Sequence, residues 1–528
     1  MRTRLLAIAH PMLFGIYPVL RLCLAPSDPA QRNDFLMIVA VMVAVTAIIL
    51  WLLRFVLPEL AKRAVLLSAF YLVFLNYLGF AVFIVGKFPG ATFLSNMLKH
   101  PVFALVPILI LVGLILFGLR RSRSDFSTTT LALTIFATVA VCSVIVPFVA
   151  PYITGSRDRW AAAAETIVNK TAVQEIQPAS ASPDIYYVIV DGYARADVLQ
   201  RLYGFDNTAF LEHLREQGFV VPRQSQSNYP QTHLSLASSL NMSYLDTLTD
   251  AVGPASSDRR PLRYLIEENS VARLLRRAGY RFILVRSQFS ATKENPQADE
   301  SVCNSFGLNP ILNNIIVMTP LVFWRPVQQL EHDDYRGHIL CELDKLADLP
   351  NMPGPKFVFA HIILPHPPFV FGPNGEERAP AGPILLNDGS SYPFSAEQYR
   401  SGYRDQLTFL NAALVKTLDT IVAGSARRPV IILQADHGPG SMLDWESAER
   451  SNLTERLAIF SAFLVPDDQR GLFYDSMTPV NTFRVLLNAY FGTDFQLLDD
   501  RSYYAAWQYP YAFVQVWPDV SKDLTRGE

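Results

Sequence analysis

Apolar residues are crowded into the first 155 positions of this chain, and that crowding constrains the fold more than any other feature. Five stretches there are long enough, or nearly so, to cross roughly 30 Å of hydrocarbon. They are Leu5–Leu24, Phe35–Leu57, Ala64–Gly86, Val102–Leu119 and Thr130–Ile153. The first is the weakest, because His10, Pro11, Pro18 and Arg21 interrupt it. A cleaved signal peptide is the other reading there, but Arg21 breaks the stretch and no small-x-small cleavage site precedes it. The unevenness implies a membrane part followed by a globular part.

Loop charges orient the membrane part. Arg2, Arg4, Arg54, Lys62, Arg63, Arg120, Arg121 and Arg123 fall on one side of the spans; Arg21, Arg32, Lys87 and Lys99 fall on the other. The first set is larger and more clustered, so it marks the cytoplasmic side. An odd number of spans then exports everything after Ile153. Residues 1–155 are thus expected to form a transmembrane domain of about five helices. Residues 156–183 are expected to form a juxtamembrane helix, Arg157–Ile176, and a linker, the PASASP of Pro178–Pro183. Residues 184–528 are ample for one large core. The net charge is −2, so no basic character points to a nucleic-acid partner.

The exported part alternates between two periodicities. Ile185–Val190, Arg281–Val285, Phe357–Ala360, Val430–Leu433 and Ala458–Val465 are short apolar runs that read as strands. Asn207–Gln217, Ser270–Ala278 and Ala396–Val422 carry helical patterns between them. The alternation predicts an α/β domain with a mainly parallel sheet covered on both faces. Cys303 and Cys341 can pair in an oxidising compartment. Such a bridge contributes about 3–4 kcal/mol in the chain-entropy model; two free thiols are the alternative. Cys23 and Cys142 fall in apolar spans and need no chemical role.

Four places in the exported part carry candidate chemistry. The run Val430–Leu433 leads through Gln434 and Ala435 to Asp436 and His437, and Gly438, Pro439 and Gly440 then turn the chain. A carboxylate and an imidazole at the C-terminal end of a strand make half a site for a divalent cation. A turn with a capping Asp is the other reading. The run Ile185–Val190 ends at Asp191, which becomes a plausible third ligand beside that pair. In SNYPQTHLSLASSL, Ser227–Leu240, Pro230 stops regular structure and Thr232 starts a helix. A hydroxyl there usually caps the helix. It is also well set as a nucleophile, because the helix dipole and free N–H groups favour an alkoxide and an incoming phosphoryl group. Finally, FVFAHIILPHPPF, Phe357–Phe369, offers His361 at a strand end and His366 in a proline-rich loop. Either ring can simply pack, or can bind phosphate and move a proton.

Together these residues resemble the alkaline phosphatase superfamily. More narrowly, they are similar to the sulfatase-like membrane transferases, the group with lipoteichoic acid synthases and lipid A phosphoethanolamine transferases. That pattern has an acidic ligand ending the first strand, a threonine nucleophile at a helix start, a histidine loop and a late Asp-His pair. Here those are Asp191, Thr232, His366 and Asp436-His437. The segment Phe483–Tyr504, FRVLLNAYFGTDFQLLDDRSYY, also looks like the end of bacterial sulfatase-like domains.

The resemblance implies a five-span membrane domain followed by an exported sulfatase-like domain in a bacterial inner membrane. It implies one divalent metal, zinc or manganese, on Asp191, Thr232, Asp436 and His437. It implies transfer of a phospho-headgroup, of phosphoethanolamine or phosphoglycerol type, from a phospholipid donor to a glycan or lipid acceptor, with His366 and His361 binding the phosphate. A phosphodiesterase or phosphatase of the same superfamily is the alternative. The chain also departs from relatives. Sulfatases carry Cys or Ser in a C/S-x-P-S/T-R context, whereas this chain reads PQTHLS. Asp191 stands where the transferases often have Glu.

Overall fold

The computed structural model describes residues 2–24, 32–77, 79, 101–172, 174–176, 183–304, 310–379 and 382–516. These fall into two compact units. One holds the chain up to Thr154 and the segment 310–332; the other holds nearly all the rest.

Apolar helices make up the first unit. Arg2–Cys23, Arg32–Leu52, Leu60–Phe74, Pro101–Arg121 and Ser127–Ile153 stand where the five apolar stretches were expected. Residues 81–86 of the third stretch, and Lys87 and Lys99, lie outside the described residues. Leu109, Leu114, Ile135 and Val139 are exposed, as suits side chains that meet lipid and not water. One polar residue that weakened the first stretch finds a partner for one of its two ring nitrogens. His10 is fully buried, and its Nδ1 meets Ser68 Oγ at 2.7 Å.

By length and composition, four described helices can cross a membrane: Arg4–Leu22, Leu36–Phe55, Ser127–Ala150 and Ala396–Gly424. The last belongs to the α/β unit. It buries Tyr399, Tyr403, Leu407, Leu410, Leu414, Leu418 and Ile421 on one face, the 3.6-residue spacing of a helix lying on a sheet. Its start is fixed by a capping box of Ser395 and Gln398.

A seven-stranded sheet organises the second unit. Its strands are β1 (Ile185–Val190), β2 (Phe219–Val220), β3 (Arg281–Val285), β4 (Glu300–Val302), β5 (Lys356–Ile362), β6 (Val430–Gln434) and β7 (Ser461–Leu464). They lie in the order β2-β7-β6-β1-β5-β3-β4. β1 pairs in parallel with both β5 and β6, and β3 with both β4 and β5. β7 returns antiparallel to β6, and β2 is antiparallel to β7. No long crossover helix separates β6 from β7, so the chain doubles back. A small antiparallel pair, β8 (Ser502–Tyr504) and β9 (Val514–Val516), stands apart.

β1 shows why this sequence makes a central strand. Ile185, Tyr187 and Ile189 enter one apolar core. Tyr186, Val188 and Val190 enter the other. Both faces are covered, so the run is continuously apolar with no polar alternation. Helix Ser156–Ala172 ends short of the expected Ile176, and of the expected linker only Pro183 lies among the described residues. Ala164, Ile167 and Val168 of that helix are buried in the same core as Leu236 and Leu240. Thr171 Oγ1 donates to Asn241 O at 3.3 Å. Cys303 and Cys341 are disulfide-bonded.

Candidate active site

The carboxyl ends of β1, β5 and β6 bring the site together. The register aligns Ile189 with His361 on one side and with Gln434 on the other. Asp191 and Asp436 therefore emerge side by side from adjacent strands. Both are buried, at 2% and 1% exposure. Gly192 N donates to Asp436 Oδ1 at 3.2 Å, and His437 N donates to the same oxygen at 2.9 Å. The Asp436 carbonyl accepts from Ser227 Oγ at 2.5 Å and from Ser235 Oγ at 2.7 Å. Two hydroxyls around Thr232 thus tie its segment to the metal-type strand end.

Thr232 is the first residue of helix Thr232–Asn241, all ten of whose residues are buried. Its hydroxyl caps nothing; the residue before it, Gln231, holds the extended cap position and makes no side-chain cap bond. Thr232 Oγ1 instead lies 3.1 Å from His437 Nε2. His437 Nδ1 is 2.9 Å from Gly438 O. A carbonyl only accepts, so Nδ1 carries the proton and the Nε2 lone pair faces Thr232. Burial and the nearby Arg456 charge lower the His437 pKa, which keeps the ring neutral.

The donor set fits a cation. His437 Nε2 lies 3.5 Å from Asp191 Oδ1 and 3.3 Å from Asp436 Oδ2. Neither of those two carboxylate oxygens has a hydrogen-bond partner among the described residues. One ligand atom each from Asp191, Asp436 and His437 falls within a 4.8 Å cluster. Two buried anionic oxygens left unpaired around one imidazole nitrogen are costly unless a cation joins them. Burial pushes the Asp191 carboxyl up, but the nearby His366 and His361 outweigh it and hold it well below the usual carboxylate range.

Both histidines of the FVFAHIILPHPPF segment reach this cluster. His361 is 1% exposed. Its Nε2 lies 3.2 Å from Asp191 Oδ2, and its Nδ1 lies 2.9 Å from Thr292 Oγ1. That places His361 between Thr292 and Asp191. His366 is buried at 8% exposure. Its ring centre is 6.2 Å from that of His437, and its Nδ1 lies 2.5 Å from Pro367 O. The loop is fixed by Gln406, which donates to His366 O at 2.9 Å and accepts from Val370 N at 2.9 Å.

Sequence reasoning missed Asp388, Arg456 and Gln406. Asp388 Oδ2 lies 3.7 Å from His366 Nε2 and accepts from Arg456 Nη1 at 2.6 Å. Burial pushes the Asp388 carboxyl up, yet the Arg456 guanidinium brings it below the usual range. Arg456 also donates to Gly438 O at 2.9 Å and to Pro230 O at 2.8 Å. It staples the Asp-His turn to the segment entering Thr232. This close packing explains two glycines. A Cβ on Gly438 would sit 2.0 Å from Glu455 O, and one on Gly440 would sit 2.5 Å from Asp388 Oδ1. For Arg456 the available signal was a charge directly ahead of the apolar run that follows the late motif, as in TERLAIF.

No curated protein matches the chain. Among solved structures, the C-terminal periplasmic domain of EcEptC from Escherichia coli in complex with Zn is similar at 12% identity and a TM-score of 0.41. That similarity covers 64% of this chain and 96% of that one. The corresponding domain of the phosphoethanolamine transferase EptC from Campylobacter jejuni matches at 13% identity and a TM-score of 0.36, over 60% of this chain and 91% of that one. The soluble domain of lipooligosaccharide phosphoethanolamine transferase A from Neisseria meningitidis matches at 13% identity and a TM-score of 0.35, over 59% of this chain and 90% of that one. The family model described as Sulfatase matches residues 183–459, which hold every candidate site residue. The chain therefore belongs to the sulfatase family, the enzymes of the alkaline phosphatase superfamily.

Proposed function

We propose that this domain moves a phospho-headgroup from a phospholipid donor to a hydroxyl of a cell-envelope glycan or lipid, with Thr232 as the attacking group. The observation that carries the reading is the placement of Thr232. Its hydroxyl starts a buried helix 3.1 Å from His437 Nε2, beside the unpaired oxygens of Asp191 and Asp436. The surrounding PQTHLS supplies neither the cysteine nor the arginine of the sulfatase motif. Apolar helices ahead of the domain favour a lipid donor.

Asp191, Thr232, Asp436 and His437 would hold one cation, and zinc or manganese suits these donors. Such a cation, when bound, neutralises phosphate charge and lowers the pKa of a coordinated hydroxyl. Thr232 Oγ attacks phosphorus and its proton passes to solvent. The bond from phosphorus to the lipid glycerol oxygen breaks, and that oxygen takes a proton from His366 Nε2, while Nδ1 keeps its hydrogen bond to Pro367 O. An acceptor hydroxyl then attacks and gives its proton to His366, the ester to Thr232 breaks, and the Thr232 oxygen takes a proton from solvent. His366 also binds the phosphate. Asp388 is the carboxylate that stabilises the imidazolium. His361 supports binding by orienting Asp191.

Intact mass of the full chain tests this after incubation with mixed phospholipids and zinc or manganese. A headgroup-phosphate adduct on the wild type, absent from Thr232→Ala, is expected. Turnover of donor to free headgroup phosphate with no modified acceptor would make water the acceptor and the enzyme a hydrolase. Undiminished turnover in Thr232→Ala would remove the reading.

A further inference from the structure

Next to the attacking group lies a buried positive charge with no counter-ion among the described residues. Gln231, Thr232 and His233 are consecutive. Arg259 is 5% exposed, and its Nη2 donates to Gln231 Oε1 at 3.2 Å and to Trp507 O at 2.5 Å. The guanidinium lies over the Trp507 ring at 4.2 Å from its centre. Its Nε–H is buried without an acceptor. Nη1 donates to nothing among the described residues, and Arg259 forms no ion pair among them. The neighbouring Asp258 is taken by Arg260 at 2.6 Å. By contrast, the buried Arg456 and Arg195 each hold a carboxylate.

His233 adds a second uncommitted group. It is 6% exposed, and its ring forms no hydrogen bond among the described residues. It packs on Phe289 at 4.7 Å, and Phe289 meets His361 at 5.5 Å. This patch is therefore continuous with the catalytic cluster. A structural arginine would spend its donors on carbonyls or carboxylates. Arg259 spends only one nitrogen, and a buried cation left in that state favours an incoming anion.

We propose that His233 and Arg259 form a subsite beside Thr232 for a second anionic group of the substrate, a carboxylate or phosphate beyond the scissile phosphate. An ammonium headgroup is repelled there; a hydroxylated headgroup is tolerated. The inference rests on the reading of Thr232 as the attacking group, because that fixes where the scissile phosphate lies.

Three soluble probes share a phosphate and differ in tail charge: phosphoglycolate, glycerol 1-phosphate and phosphoethanolamine. Their binding to the full-length, zinc-loaded protein in detergent is the measurement, read by displacement or thermal shift. Wild type should prefer phosphoglycolate to phosphoethanolamine by tenfold or more. Arg259→Gln should erase most of that preference by weakening phosphoglycolate alone, Arg259→Lys should keep it, and His233→Asn should reduce it. Equal affinity for the three probes in wild type, or an equal loss for all three in folded Arg259→Gln, overturns the subsite. The preference can persist while no Thr232 adduct forms with any lipid; the transfer reading then fails and the subsite stands. Two further arms locate the anionic group. Arg259 dependence of adduct formation places it on the donor. Arg259 dependence of adduct discharge to a phosphorylated acceptor, relative to its unphosphorylated form, places it on the acceptor.

Discussion

Arg456 and Asp388 form a closed ion pair inside the domain, Nη1 to Oδ2 at 2.6 Å, with side-chain exposures of 1% and 3%. Neither residue is among the candidate ligands, yet the pair touches the His366 loop, the turn after His437 and the entry to Thr232. Removing one partner leaves the other charge buried and alone, which costs about 3–5 kcal/mol. Asp388→Asn should lower the denaturation midpoint accordingly. The double change Asp388→Asn with Arg456→Met should be less harmful than the sum of the singles, and denaturant titration of all four proteins checks this.

Thr232→Ser should retain transfer at a reduced rate, because the attacking hydroxyl survives. Thr232→Ala should lose it by a factor of about 10³ or more, the scale expected for deleting a nucleophile. A single-turnover assay with a labelled phospholipid separates the two. Equal activity in both variants would rule out attack by residue 232.

Gln406→Leu removes the donor to His366 O and the acceptor for Val370 N. The loop backbone then loses its anchor while His366 itself stays. Turnover should fall by about tenfold to a hundredfold, with little change in metal content. Activity assays beside metal analysis by emission spectroscopy test that split.

Metal removal should act on stability as well as rate. Asp191 Oδ1 and Asp436 Oδ2 face each other's charge when no cation joins them. Chelation should therefore lower the melting temperature, and zinc or manganese should restore it by mass action. Asp436→Asn should weaken this response, and calorimetric scans at several metal concentrations provide the measurement.

Glu342 gives a pH signature away from the site. It is 1% exposed, and burial raises its pKa well above the usual carboxylate value. The folded state then holds a proton that the unfolded chain has released, so the unfolded state binds fewer protons. Stability must fall as pH rises from the unfolded value, about 4.3, through the folded one. Glu342→Gln should flatten this slope and be the more stable protein at neutral pH. Urea titrations from pH 4.5 to 8 compare the two.

Much of the candidate site was legible because its residues announce themselves locally. Asp191 and Asp436 each follow an apolar β-run, and Thr232 follows a proline at a helix start. Register then does the rest, since parallel neighbours place their carboxyl ends together. Antiparallel β7 and the two-residue β2 were not legible in the same way. Direction is set by the connection, and a strand of two residues has no period. Asp388 and Gln406 escaped for another reason. One sits in a polar loop and the other on a helix face of otherwise apolar residues, and only tertiary packing turns them toward His366. Arg259 has the look of a surface residue in a run of charges, SSDRRPLR; its burial depends on Trp507, far along the chain.

The helix Ser156–Ala172 buries Ala164, Ile167 and Val168 in the core that also receives Leu240, and Thr171 holds the carbonyl of Asn241, the last residue of the helix that begins at Thr232. The piece that looks like a tether is thus the floor under the helix that begins at Thr232. A soluble fragment cut at Asp184, where the composition changes, discards that floor and should arrive unstable or inert. One cut at Gly155 keeps it.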